Sequence, residues 1–207
     1  RKLPSIDSLE PCIVVAGSPN VGKSALINSL SSGEPEVAEY PFTTKQLHLG
    51  HFLYRRRSYQ MVDTPGLLDR PMFERNSIEM QAIAALENIG DILLFLIDDT
   101  GNPTTPIDEQ ENLLKEVKNL ITGKPILVVH TKSDLYDEIP SNLDICISAK
   151  TGFGIEELRS YLIKIIGADD VSDPLSLPEH WHREDDSIKP MGSPQEILRR
   201  QDEARYS

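Results

Sequence analysis

The chain has 207 residues and a mass of 23.2 kDa, room for one ordinary globular domain and a tail but not for two full domains. An apolar share of 39% beside a charged share of 26% can build a core, which excludes disorder throughout. With 21 basic against 33 acidic residues the formal charge is −12, so a phosphate polymer repels the chain as a whole and any nucleic-acid contact must be local.

The chain opens on Arg1 and Lys2 rather than Met, as expected of a fragment or processed chain, and lacks the apolar stretch of a secretory signal. Cys12–Ala16 is a short β-branched run that predicts a strand, and Lys23–Ser31 predicts a helix. Lys45–Leu53 and Ser58–Val62 predict two strands. The link between them is too short for a crossover helix, so they should form an antiparallel hairpin at one edge of a sheet. Ile78–Asn88 predicts the next helix. Ile92–Ile97 predicts a buried strand and is also the longest uninterrupted apolar run, far short of the roughly 20 residues of a membrane span, so no membrane partner is expected. Asp108–Ile121 carries Leu113, Leu114, Val117, Leu120 and Ile121 as one helical stripe. Ile126–His130 and Asp144–Ile147 predict the last strands, and Gly154–Ile166 the last helix. This alternation is that of an α/β protein, a mostly parallel six-stranded sheet with helices on both faces. Cys12 and Cys146 sit inside apolar segments, which predicts reduced, packed thiols.

From Asp169 the composition shifts to an acidic excess interrupted by Pro174, Pro178, Pro190 and Pro194. Residues 1–168 are therefore expected to form the domain and 169–207 an extended acidic tail. Ser193-Pro-Gln-Glu196 is a capping box that predicts a short terminal helix over Ile197–Tyr206.

Gly17-Ser-Pro-Asn-Val-Gly-Lys-Ser24 fits G-x-x-x-x-G-K-[ST] and stands between a predicted strand and a predicted helix, where a phosphate loop must stand. Backbone N–H groups from Ser18, Pro19, Asn20, Val21, Gly22, Lys23, Ser24 and Ala25, the proline excepted, would surround phosphate oxygens. Lys23 would reach the β and γ phosphates, and the Ser24 hydroxyl would bind Mg²⁺. Asp63-Thr-Pro-Gly66 ends a predicted strand, placing a carboxylate beside the metal and the Gly66 N–H near a γ-phosphate. Alone, such a string could be an ordinary turn.

Thr131-Lys-Ser-Asp134 and Ser148-Ala-Lys150 follow the last two predicted strands. A carboxylate at Asp134 can accept from both N1–H and the exocyclic amine of guanine, and adenine has no such pair of donors. The Lys132 stem can cover one face of the base, and the Ala149 N–H would donate to O6. Thr131 stands where Asn is usual and offers a hydroxyl in place of an amide, an expected weakening of affinity.

With these signals in order the chain resembles a translation-factor-type GTPase. Leu3-Pro-Ser-Ile-Asp7, the phosphate loop, Tyr40-Pro-Phe-Thr-Thr-Lys45, Gly50-His-Phe52, Asp63-Thr-Pro-Gly-Leu67, Glu74-Arg-Asn76 and Ile78–Ile83 sharpen the resemblance, over residues 3–166, to the nucleolar GTP-binding branch of the Obg-related family. The resemblance implies GTP and GDP as ligands with Mg²⁺, and Thr44 of Phe42-Thr43-Thr44 as the switch I magnesium ligand that also contacts the γ-phosphate. It implies a helical domain ahead of Leu3, which these residues do not include, and a role in assembling the large ribosomal subunit. Leu67 stands where Ras-like enzymes place a water-orienting Gln, so intrinsic hydrolysis should be slow. In related GTPases an Asn at the position of Asn20 holds a potassium ion between phosphates, so potassium-stimulated hydrolysis is expected. Lys23, Thr44, Gly66 and Asn20 are thus the candidate catalytic residues, and Ser24, Thr44 and Asp63 the candidate metal-site residues.

Two rivals come from other classes. A phosphate-loop kinase would not need Thr131–Asp134, and a binding module without hydrolysis would suit Leu67 and Thr131. An Era-like RNA-associated GTPase is the nearest alternative within the class, but lacks Phe42-Thr-Thr44 in this form. Arg55-Arg-Arg57 concentrates positive charge in an acidic chain, either as a solvated loop or as a local contact to ribosomal RNA in a pre-ribosomal particle. His180-Trp-His182 reads better as an anchor through Trp181 than as a metal site, and His48, His51 and His130 read as strand residues. An acidic chain without a basic targeting run points to the cytoplasm, leaving an organelle or the nucleolus open, and the oligomeric state is not legible.

Overall fold

Glu36–Glu39 (β2), Gln46–Tyr54 (β3), Arg57–Asp63 (β4), Cys12–Ala16 (β1), Ile92–Ile97 (β5) and Ile126–His130 (β6) lie side by side in that order as one sheet in the computed structural model. The structure describes residues 6, 7, 9–39, 46–63 and 65–167. The expected tail 169–207, with its terminal helix and His180-Trp-His182, and the Tyr40–Lys45 segment that includes Phe42, Thr43 and Thr44 lie outside the described residues.

β4, β1, β5 and β6 run parallel, whereas β2 and β3 and then β3 and β4 pair antiparallel. The β3–β4 hairpin is antiparallel as the short link requires, but the sheet edge beyond it carries one more strand. β2 escapes the pattern because Glu-Val-Ala-Glu is short and acidic, and among the described residues it pairs with β3 alone. The run Asp144–Ile147, which predicts a sixth strand, contributes a single parallel bridge from Cys146 to His130. Its Ile145 and Ile147 are buried as a strand's would be, yet the chain turns at Ser148 before a ladder can extend.

The helices Lys23–Leu30 (α1), Ser77–Ile89 (α2), Ile107–Leu120 (α3) and Ile155–Ile166 (α4) start and stop within a residue or two of the periodic stretches. Alternate residues of β1 feed two cores. Ile13 and Val15 pack with α1 and α4, while Cys12, Val14 and Ala16 pack with α2 and α3. Helix α1 lies close on the sheet because β3 has no side chain at Gly50, where a Cβ would meet the Ser31 hydroxyl and come within 2.5 Å of Ile27. Both cysteines are free and buried, and burial pushes the Cys12 thiol to about 12 and the Cys146 thiol to about 11, which makes them inert packing groups. Among the described residues no helix is long and apolar enough to cross a membrane.

Candidate functional site

The carboxyl ends of β1, β4, β5 and β6 face one edge of the sheet, and β1 sits where the strand order reverses, with β4 on one side and β5 on the other. Loops leaving such a point surround a natural ligand crevice. The motifs at 17–24, 63–66, 131–134 and 148–150 all begin there.

After β1 the chain makes a tight loop built on left-handed residues, and at Gly17 only glycine fits. Gly17 has φ 134°, and a Cβ there would meet the Leu96 carbonyl at 2.6 Å. Asn20 is also left-handed, at φ 61°. Gly22 caps α1 at φ 107°, and no side chain caps that end of the helix, so its first amides point outward with no acidic residue in the turn. Lys23, 8% exposed, folds back to donate to the Gly17 and Ser18 carbonyls at 2.8 and 2.9 Å. An ammonium has three donors, so one remains for an incoming oxygen. Burial lowers the Lys23 pKa, against the opposing charges of Asp63 and Asp69.

Asp63 ends β4 at 1% exposure. Its Oδ2 accepts from the Ser24 hydroxyl at 3.1 Å, and His48, its cross-strand neighbour on β3, approaches to 3.8 Å. Its Oδ1 is buried with no hydrogen-bond partner among the described residues. Burial raises the Asp63 pKa, partly offset by Lys23 and then by Ser24. A buried carboxylate oxygen with nothing to bind, beside a hydroxyl and an ammonium, suits a hydrated divalent cation. No three His, Cys, Asp or Glu side chains converge among the described residues, so Mg²⁺ here would rest on hydroxyls, Asp63 and ligand oxygens.

Gly66, at φ 78°, donates its N–H to Asp69 Oδ2 at 2.7 Å, and the next turn is tied back to the phosphate loop, Gly17 N–H to the Leu68 carbonyl at 3.1 Å. Leu67 is fully buried in the α2–α3 core, so the side chain in the Gln position does not face the crevice at all. The segment is then anchored on α2. Arg70 pairs with Glu79 at 2.8 Å, and Asn76 and Glu79 cap the helix reciprocally.

At the base end, Ser148 is wholly buried and donates its hydroxyl to Asp134 Oδ1 at 2.6 Å, holding that carboxyl below the ordinary carboxylate range. Lys150 lies 3.6 Å from Oδ2. Thr131 is buried, and its hydroxyl donates to the Val21 carbonyl at 2.8 Å with the Ile97 carbonyl at 3.2 Å. The substitution of Asn by Thr thus keeps a tether between the base loop and the phosphate loop. Lys132, left-handed at φ 57°, is drawn to Asp98 Oδ2 at 2.6 Å.

Asp98 and the residues around it went unsingled in the sequence. Gln110 of α3 clasps the Asp98 backbone on both sides, at 2.9 and 2.7 Å. Asp99 binds His130 at 3.1 Å and the Tyr136 hydroxyl, and these two bonds outweigh burial and lower its pKa. Two aspartates directly after an apolar strand were the available signal.

The pattern of the 50S ribosome-binding GTPases matches residues 12–132 of the chain. An uncharacterized protein of Methanocaldococcus jannaschii is 49% identical over 67% of this chain and 38% of its own length. Nucleolar GTP-binding protein 1 of Caenorhabditis elegans is 42% identical over 65% of this chain and 20% of its own. The chain therefore spans between a fifth and two-fifths of these curated relatives. A solved Plasmodium falciparum structure, described as nucleolar GTP-binding protein 1, superposes with a TM-score of 0.69 at 32% identity, covering 81% of this chain and 92% of that one. The G domain of the T. maritima FeoB iron transporter gives 0.60 at 25% identity, covering 75% of this chain and 98% of that one.

Proposed function

The chain belongs to the family of 50S ribosome-binding GTPases, and from that premise we propose that it hydrolyses GTP to GDP and phosphate as a switch that times its binding to a precursor of the large ribosomal subunit. The observation that carries the reading is the meeting, at one sheet edge, of a backbone loop closed by Lys23, a buried Asp63 with an unmatched oxygen, and Asp134 held by Ser148.

The chain's own residues have separable tasks. The amides from Ser18 to Ala25, Pro19 excepted, and the remaining Lys23 donor bind phosphate oxygens. Ser24, Asp63 and, by the family resemblance, Thr44 would hold Mg²⁺, which would supply positive charge against the phosphate oxygens. Gly66 reads the γ-phosphate, Asp134 the guanine edge, Ala149 its O6, and the Lys132 stem a ring face. Thr131 keeps the two halves of the site in register.

Leu67 cannot orient water from the core, so intrinsic turnover is slow. Asn20, left-handed and exposed in the phosphate loop, would take a potassium ion against phosphate oxygens, as the Asn at this position does in related GTPases. The ribosomal part rests on the family description and on the names of the relatives.

Phosphate release from GTP, measured in KCl and in NaCl at equal ionic strength, tests the reading. Turnover about tenfold faster in KCl is expected, a barrier change near 1.4 kcal/mol, and Asn20→Ala should remove the difference. Equal rates would contradict the potassium role. Tight nucleotide binding with no phosphate release in either salt would favour a binding module without hydrolysis.

A further inference from the structure

We infer that the Asp69 carboxylate is an internal stand-in for the γ-phosphate, bound to the Gly66 amide in the resting state and displaced from it by GTP but not by GDP. The inference rests on the reading of this crevice as a guanine-nucleotide site.

Three independent features meet at Asp69. Its Oδ2 takes the Gly66 N–H at 2.7 Å, the amide assigned above to sensing the γ-phosphate. An anionic oxygen on a backbone amide is what a phosphate would also offer, so the two compete for a single donor. Second, the negative charge of Asp69 is felt at both Lys23 and Asp63, the two charged groups at the phosphate end of the site. Third, the contact is part of a folded latch. Leu68, one residue earlier, accepts from Gly17, and Leu67 and Leu68 are buried, which fixes the turn that carries Asp69 against the phosphate loop.

The latch has somewhere else to go. Asp69 Oδ1 is buried without a hydrogen-bond partner among the described residues, and so are Nε and Nη1 of Arg75, whose guanidinium already feels the Asp69 charge. Unmatched buried polar atoms on both sides mark an arrangement held for a reason other than its own hydrogen bonding. Released from Gly66, the carboxylate can pair with Arg75, so the segment has two discrete states that a third phosphate can choose between. A diphosphate makes no claim on Gly66 and leaves the latch closed.

The test compares equilibrium affinities of wild type, Asp69→Ala and Asp69→Asn for GDP and for a non-hydrolysable GTP analogue. Removing the competitor should raise affinity for the GTP analogue about tenfold, roughly the worth of one charge-assisted hydrogen bond, and leave GDP affinity unchanged. Asp69→Asn keeps the shape without the charge and should fall between Ala and wild type. Unchanged GDP binding also reports that each variant is folded. Equal shifts for both nucleotides would overturn the inference, as would weaker binding of the GTP analogue. A loss of turnover with no change in the affinity ratio would place Asp69 in hydrolysis instead, and overturn it too. If wild type binds neither nucleotide, the reading of the site itself fails, an outcome distinct from all of these.

Discussion

A carboxylate as buried as Asp63, with one oxygen unmatched among the described residues, is only partly compensated by its Ser24 hydrogen bond and the nearby Lys23 charge. Because burial lifts its pKa, the folded state binds that proton more tightly than the unfolded state does. Charged Asp63 therefore weakens the nucleotide-free fold at neutral pH, and the penalty fades as pH falls through its raised folded value towards the ordinary carboxylate value. Asp63→Asn is expected to raise the Tm of the nucleotide-free protein by about 2 to 4 °C near pH 8, equivalent to roughly 1 kcal/mol in a chain of this size. The gap should narrow on acidification, while Mg²⁺-dependent nucleotide binding is lost. Thermal melts of both proteins across pH decide this, and a variant less stable than wild type at pH 8 would contradict it. At this scale the sequence was legible where chemistry imposes fixed spacing, as for Lys23, Ser24, Asp63 and Asp134. Thr131 was legible as a departure from Asn, but not its tether, in which the hydroxyl reaches the Val21 carbonyl from 110 residues away. Nor was Asp69 legible, because a lone aspartate after a turn has no periodicity to betray it, while Asp98 carried only the weak signal of an aspartate pair at a strand end.

Strands and helices came through because their hydrophobic periods are enforced by two separate cores, one on each sheet face. β2 did not, since an edge strand with one partner needs little apolar pattern. The β3–β4 hairpin shows the opposite conflict, a local sequence against its geometry. Arg55 and Arg56 form its two-residue turn with φ 47° and 67°, left-handed values that a type I′ turn normally gives to Asn-Gly. Arg55 and Arg57 stack over Tyr54 and Tyr59, at 5.5 and 5.7 Å, which steadies an exposed cluster of guanidinium groups. A left-handed turn built from arginines in place of Asn-Gly is reason to test those side chains for function. Replacing Arg55-Arg56 by Asn-Gly should stabilise the protein by about 0.5–2 kcal/mol, as turn-optimising substitutions do, and weaken co-sedimentation with ribosomal particles without altering GTP affinity. Unchanged pelleting would return the cluster to a solvated loop.

Across the whole molecule, function follows from the parallel ends of four strands meeting beside β1, which gathers motifs more than a hundred residues apart into one crevice. A net charge of −12 would repel a phosphate polymer from most of the surface, with the arginine tip as a local exception. Guanine selectivity is the property on which the proposed function depends, and Asp134, held by Ser148, is the residue proposed to supply it. Equilibrium titration with fluorescent GDP, competed by GTP, GDP and ATP on wild type and on Asp134→Asn, measures it directly. GTP and GDP should displace the probe and ATP should fail to do so, by a factor on the order of 10⁴ for a site built to hydrogen-bond one base edge. The Asn variant should shift its preference to xanthine nucleotides, whose acceptor replaces the exocyclic amine. Equal competition by ATP, or an unchanged base preference in Asp134→Asn, would contradict the account.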